Sequence, residues 1–306
     1  MELSDTLLNF LEDKLHTRGT SCNFMKQLDV GLQSPLRSTE KFGRPNMLPA
    51  MRRARIIELL RKDGMASLKD MTDALEVSLS TLRRDVDYLC ESGHLERTHG
   101  GAVLNVNRHG SFEPAPEIAS ALERAAKRAI GQRAAGLIKP GQAVIFDSGT
   151  TTAAAALCAR ERGIAFTAFT NDLAIAGLLS ASPAIQVFVA GGGVRTGSTT
   201  LLGSGALQSI LRLHADIAFI GTHAMTATDL SDTSIELAEI KRAFLMAADL
   251  VVLLADSSKI FSRAFCTFGR TSDIGLLVTD ARIAPEAEAD LRARNVALDI
   301  VSEAEN

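Results

Sequence analysis

Between residues 49 and 104 apolar positions recur every three or four residues, and beyond residue 140 they come in short unbroken runs. In MRRARIIELLRKDG, Ile56, Ile57, Leu59 and Leu60 sit among basic residues, and the pattern stops at Gly64, a helix-end signal. SLKDMTDALEV repeats Leu68, Met71 and Leu75 behind Ser67, whose hydroxyl can accept from the free amides of a first helical turn. After a turn at Val77-Ser78, Leu82, Val86 and Leu89 recur at i, i+4 and i+7 and build a single stripe. Ser80 and Thr81 are the expected cap of this third helix. Arg83, Arg84 and Asp87 fall off the stripe, so their side chains are expected to face outward. HLERTHGGAVL then has the length and the Gly-Gly turn of a short hairpin.

Three short helices, a tight turn between the second and third, and a hairpin make a winged helix-turn-helix over 49–104, with the helix-turn-helix proper at about 66–85. A plain three-helix bundle with a solvated Arg pair is the alternative. It does not explain why helix order, capped start, outward arginines and hairpin agree. The candidate DNA contacts are Ser78, Ser80, Thr81, Arg83 and Arg84 on the third helix, with Arg97 and His99 on the wing. Arginine suits this task because its guanidinium can bond a guanine edge through two parallel donors.

Residues 105–117, including NVNRHGSFEPAPE, read as a linker, and IASALERAAKRAIGQRAAGLIKPG as one helix ending at Pro140-Gly141. From there to residue 303 apolar strands alternate with helices. AVIF, IAFTAF, IQVFVA, IAFI, LVVLLA, IGLLV and a last run near Val296–Ile300 are the strands. This pattern predicts an α/β domain at 118–303 with a mostly parallel sheet covered by helices on both faces. Residues 1–48 carry no motif. SDTLLNFLEDKLHTRG reads as one short amphipathic helix, and the expectation is either a natural start at Met47 or Met51 or a flexible arm.

The chain has 306 residues, 46% of them hydrophobic, with no Trp and one Tyr, so aliphatic side chains must fill its core. A net charge of −3 offers no general basic patch. DNA affinity would therefore depend on arrangement and on pairing of subunits, and a homo-oligomer, dimer or tetramer, is expected. The four cysteines have no C-x-x-C spacing and the six histidines no H-E-x-x-H arrangement, so neither a metal site nor a cofactor is read. No apolar run approaches a bilayer span and no signal-peptide pattern opens the chain, so the reading is a cytoplasmic protein without a membrane partner.

Ligands of parallel sheets bind beyond the carboxyl ends of the strands. DSGTTT, TND, GGG and DSSK each follow a predicted strand directly. In DSGTTT, Gly149 permits close backbone approach, and the threonine run opens a helix whose free amides and hydroxyls could seat an anion. An ordinary helix cap is the alternative. Gly191, Gly192, Gly193 and Lys259 lie at neighbouring strand ends, and the set suits a phosphate monoester better than a dinucleotide. GGGVRTG is followed by no acidic residue placed to hold a ribose, and no G-x-x-x-x-G-K-[ST] element is present. Glu239 and Lys241, two apart on a helix, contact different groups, and Lys241 could simply pair with a surface carboxylate. Asp147, Asp172, Glu239 and Asp256 leave an isomerase-like enzyme open as the second reading.

The run from RARIIELLRKDG to STLRRDVDYL and RTHGGAVL, followed in order by DSGTTT, FTND, AGGGVR, ADIAFIG, ADSSK and VTD, resembles the DeoR family of bacterial transcriptional regulators over about residues 49–303. The resemblance implies a sensor domain similar in fold to ribose-5-phosphate isomerase. It also implies a regulator, expected to repress a carbohydrate-catabolic operon, whose partners are double-stranded operator DNA and a phosphorylated sugar. On that resemblance the effector candidates are Asp147, Ser148, Gly149, Thr150, Thr151, Thr152, Asn171, Asp172, Gly191, Gly192, Gly193, Lys241 and Lys259. Two positions depart from the family pattern: Ala119 stands where an Arg is common, and Leu237 where an acid is usual.

Overall fold

The computed structural model describes residues 47–105 and 115–302. The readings of a helix and an arm in the first 46 residues, and most of the linker, lie outside these. Helix α1 (Pro49–Asp63) starts on a proline and closes at Gly64, whose N–H donates to Leu60 O at 2.9 Å. Ser67 caps α2 (Leu68–Leu75), its hydroxyl accepting from the Asp70 N–H at 3.1 Å. Helix α3 (Leu79–Glu91) differs from expectation in its cap. It begins one residue earlier, so Ser78 accepts from the Thr81 N–H at 3.2 Å and Ser80 and Thr81 lie inside the first turn. Leu82, Val86 and Leu89 are buried against Ile56, Leu60, Met71 and Leu75, as the stripe requires. The wing, β2 (Leu95–Thr98) and β3 (Gly101–Leu104), gains a third strand, β1 (Met65–Ser67), in the order β1-β3-β2.

The single helix expected from residue 118 is two. Helix α4 (Pro116–Ala121) ends, Glu123 turns at φ 53°, and α5 (Arg124–Leu137) begins. The break has a packing cause. Ile118 and Leu122 are buried in the winged-helix core, whereas Ile130 and Ala134 pack on the sheet of the second half. One straight helix cannot present its apolar face to both. Lys127 fastens the break, donating to Ala119 O at 2.6 Å and Leu122 O at 2.8 Å.

The second half is built on a fully parallel seven-stranded sheet. Its strands are β4 (Ala143–Phe146), β5 (Phe166–Thr170), β6 (Ile185–Val189), β9 (Ala215–Gly221), β12 (Ala248–Leu254), β14 (Leu276–Asp280) and β15 (Leu298–Val301), in the spatial order β15-β14-β12-β9-β4-β5-β6. Alternate residues feed opposite cores. Val144, Phe146, Phe219 and Val252 meet α5, α6 (Thr150–Glu161) and α7 (Leu173–Ser180). Ile145, Ala218, Ile220 and Leu253 meet α8 (Ser204–Ile210), α9 (Ile235–Met246) and α10 (Pro285–Ala293). Burial on both faces is why these strands read as unbroken apolar runs. Phe146 and Phe219 pack with tilted rings 5.4 Å between centres, among the largest side chains of the first core. Smaller pieces flank the sheet: a hairpin of β7 (Gly193–Val194) and β8 (Leu201–Leu202), and an antiparallel trio of β10 (Ala224–Met225), β11 (Asp229–Asp232) and β13 (Cys266–Arg270). Because the large sheet is parallel, the turns after β4, β5, β6 and β12 all leave from one edge.

Candidate functional site

On α3 the sequence-predicted DNA contacts divide cleanly. Ser80, Arg83 and Arg84 are exposed, and Thr81 is half-buried. The Ser78 hydroxyl is engaged with Ser80 Oγ at 3.0 Å and Thr81 Oγ1 at 2.9 Å, so it organises the first turn. His99 stands exposed at the wing tip, while Arg97 is ion-paired with Asp87 of α3 and ties the wing back to the helix. The inner side of α3 carries a charge that periodicity alone did not flag. Asp85 is buried and takes both Arg52 and Arg53 of α1, the latter at 3.0 Å. Arg53 also lies 3.6 Å over the Tyr88 ring. The available signal was position: Asp85 is three residues from Leu82, on the same helical face as the stripe. These pairs fix the angle between α1 and α3, leaving Arg83 and Arg84 facing solvent.

At the sheet edge the expected residues are present, with several turned inward. Asp147 is fully buried after β4. Its Oδ2 accepts from the Gly221 N–H at 3.1 Å and pairs with the Lys241 ammonium. Lys241 also donates to Gly221 O at 2.8 Å and lies 3.5 Å from Asp232, a carboxylate the sequence reading did not single out. The reading of Lys241 as the partner of a surface carboxylate is therefore corrected: the two acids it neutralises are buried. Burial alone would pull its ammonium down, but Asp147 and Asp232 together hold it above the ordinary lysine range. Asp172 caps α7, accepting from Ala174 N–H at 2.8 Å and Ile175 N–H at 3.1 Å, and Thr199 donates to it at 2.9 Å. Thr152 is buried and donates to Gly149 O at 2.8 Å. Asn171 is buried with its Nδ2 3.5 Å from Leu201 O, and its Oδ1 meets no donor among the described residues.

What remains accessible is the start of α6. Gly149, at φ 124°, is exposed and no side chain caps the helix. Thr150 and Thr151 are half-buried beside its free amides, while Ser148 is buried and bonds back to Asp147 through its own N–H at 2.8 Å. The glycine run serves backbone contact. A Cβ on Gly192 would sit 2.3 Å from Leu202 O, and Gly191 N–H reaches Ser209 Oγ at 3.3 Å, whereas nothing lies within 4 Å of a Cβ on Gly193. Lys259 follows β12, separated from β4 by β9, and is half-buried. Beside it Asp256 is buried; desolvation opposes its ionisation, but Lys259 and Lys127 outweigh that and hold the carboxyl below the usual range. Burial draws the Lys127 ammonium down to about 8, Asp256 opposing. Asp232, Glu123 and Arg61 are the charged residues of this region that sequence reasoning missed. Among the described residues no group of metal-ligating side chains and no helix long and apolar enough to cross a membrane is found.

Two family models match this chain, the DeoR-like helix-turn-helix domain over residues 52–108 and the DeoR C terminal sensor domain over residues 122–281. The chain belongs to the DeoR family. Among its relatives, the HTH-type transcriptional regulator GlpR of Haloferax volcanii is 33% identical over 82% of this chain and 97% of its own length. The HTH-type transcriptional repressor GlcR of Bacillus subtilis is 31% identical over 78% of this chain and 91% of its own. Among solved structures, a ribose 5-phosphate isomerase A of Methanocaldococcus jannaschii is 18% identical with a TM-score of 0.33, over 44% of this chain and 53% of that one, a likeness too slight to bear on function. In this DeoR-family regulator α4 falls between the two matched stretches.

Proposed function

We propose that this chain is a sequence-specific DNA-binding repressor of a carbohydrate-catabolic operon, acting as a homo-oligomer and switched by a phosphorylated sugar. The observation that carries the reading is the outward pair Arg83 and Arg84 on a capped helix braced from behind by Asp85, Arg52 and Arg53. A rigid helix with free guanidinium groups is what major-groove readout requires, Arg to guanine being its commonest specific contact. Repression is supported by the relative named a repressor, GlcR. The phosphate reading is supported by two anion-holding features, the uncapped start of α6 with Gly149, Thr150 and Thr151, and Lys259 at a nearby strand end. The ligand must bind the DNA-competent and DNA-incompetent states with different affinity, or it shifts nothing.

The isomerase reading is disfavoured by how the acids are held. Asp147 is paired with Lys241, Asp172 caps α7 and Asp256 accepts from Ser258, which leaves Glu239, exposed on α9, without a neighbouring site. The test is titration of the protein into DNA from upstream of its own gene and its neighbours, against scrambled duplex at one salt concentration, with and without phosphorylated sugars. Preference for one upstream sequence, altered by a sugar phosphate, is expected. Equal affinity for scrambled DNA would sink the sequence-specific reading, and a response confined to unphosphorylated sugars would sink the effector assignment.

A further inference from the structure

A cavity of about 320 Å³ lies between the winged helix and the sheet domain. One wall is DNA-reading domain: Ile57 and Arg61 of α1 and Leu104 at the wing base. The other is His223 after β9, with Lys259 and Arg263 after β12. Three cationic side chains line the space and no carboxylate does. Among the described residues three acids face these cations from outside the lining, the first being buried Asp256, whose charge is held by Lys259 and, more weakly, Arg61. Glu123 is 3.7 Å from Arg61, and Asp229 is 3.5 Å from Arg263. Glu123 is principally engaged elsewhere, its Oε2 holding Arg282 at 2.6 Å. Among the described residues Arg61 otherwise donates to a neutral hydroxyl, Ser258 Oγ, at 3.2 Å, and Lys259 has Asp256 as a counter-charge without a close ion pair to it. The volume is that of a small-molecule site, and a guanidinium held by a 3.7 Å carboxylate contact and one hydroxyl has capacity for a two-pronged anion.

We infer that this cavity binds a small phosphate ester, with Arg61 of the DNA-reading domain and Lys259 of the sensor as its cationic contacts. The inference rests on the proposed sensing of a phosphorylated sugar and says where the phosphate goes. A phosphate held by both residues replaces the Arg61–Ser258 and Arg61–Glu123 contacts that now cross the junction. The DNA-reading domain is then itself a wall of the effector site. The signal reaches the wing base without passing through the turn at Asp147–Thr152.

The test uses the full chain. Calorimetric titrations at one ionic strength compare glucose 6-phosphate, fructose 1-phosphate, glycerol 3-phosphate, glucose and inorganic phosphate on wild type and Arg61→Gln. At least one ester should bind wild type, and Arg61→Gln should weaken it about tenfold or more, the loss of one charge-assisted contact. An ester that binds both proteins equally overturns the cavity while leaving the sensor reading intact. If no ester binds wild type, the sensor reading fails and this inference with it. Inorganic phosphate binding as tightly as every ester would overturn the ester. Hydrogen exchange on wild type with the tightest ester decides the matter even if Arg61→Gln does not fold. Slowed exchange at residues 58–64 and 93–104 as well as 257–263 is expected, and slowing confined to 147–153 would overturn the assignment.

Discussion

On α3 the polar residues singled out by the sequence stand clear of the protein, whereas at the sheet edge residues singled out in the same way are turned inward and paired. Arg83 and Arg84 are exposed; Asp147, Asp172, Thr152 and Lys241 are buried and bonded. The difference follows from the elements. An amphipathic helix at the surface has one buried stripe, so a side chain off that stripe faces water and is available to DNA. The ends of a parallel sheet covered on both faces have no such free side. Polar groups there must satisfy one another, because a buried polar group without a partner is costly. Motif residues at a sheet edge are therefore first of all structural. The ligand is left with what structure does not consume: backbone amides, half-buried hydroxyls, and cations such as Lys259.

The sharpest way to break this comparison is to remove the charge at the sheet edge. Lys241→Met leaves Asp147 and Asp232 buried without a counter-charge, and loss of one partner from a buried ion pair typically removes about 3–5 kcal/mol. Urea unfolding of wild type and variant measures it. A loss below about 1 kcal/mol, the range of a surface pair, would show that the edge is not held by this charge.

The DNA face should behave in the opposite way. Arg84→Ala is expected to leave the unfolding midpoint in place, since the side chain is exposed and no bond of the fold depends on it. Its operator affinity should fall by about 1–3 kcal/mol, the value of one bidentate base contact. Fluorescence anisotropy on operator and scrambled duplexes separates a base contact from a phosphate contact, because only the first loses the preference between them. An unchanged operator affinity would remove α3 from the reading surface.

All seven strands of the parallel sheet and the helices between them were legible, because double-sided burial writes strands as apolar runs and helices as repeats of three and four. Their spatial order was not, since it is set by pairings between distant segments. The same holds for β1, three residues long and created by β3, and for β10, β11 and β13, whose polar stretch Asp229–Asp232 carries no strand pattern. The break at Leu122-Glu123 escaped because the local sequence is uniformly helix-forming; two cores pulling on one apolar stripe decide it. At the candidate sites residue types were legible and directions only partly so. Outward placement on α3 followed from period, but that Lys241 points to Asp147 and Asp232 depends on strands some ninety and nine residues away in sequence.

A third prediction sits at the junction between the two regions. His94, buried at the wing base, has its pKa lowered to about 4 from 6.5 by desolvation and by the nearby Arg61. The unfolded chain therefore takes up this proton first. The contribution of the neutral imidazole is complete above about 6.5, falls as the pH drops, and is lost below about 4. Allowing for partial solvent screening, the effect is roughly 1–2 kcal/mol. Unfolding curves at pH 7 and pH 5 for wild type and His94→Gln measure it by difference, which cancels the acids titrating nearby. Wild type should lose more stability than the variant over that interval, and parallel losses would mean that His94 is already free to protonate in the folded protein.

The smallest effect expected is at the bond joining wing to recognition helix. Arg97 and Asp87 are each about half exposed, with side-chain exposures of 52% and 50%, so their ion pair should hold the fold by only about 0.2–1 kcal/mol. Its interest lies in what it withholds. While Asp87 neutralises Arg97, the wing offers DNA one positive charge fewer than the sequence suggests. Asp87→Asn releases that charge without altering side-chain shape. Thermal stability should then change little, while the dependence of operator affinity on salt should steepen, because each added phosphate contact adds about one to the log–log slope. Anisotropy titrations at several salt concentrations, on wild type and Asp87→Asn, give the two slopes. Were they equal, Arg97 would either reach no phosphate from the wing or already exchange Asp87 for one when DNA binds. The double variant with Arg97→Ala separates these: it leaves the slope where Asp87→Asn put it in the first case and lowers it in the second.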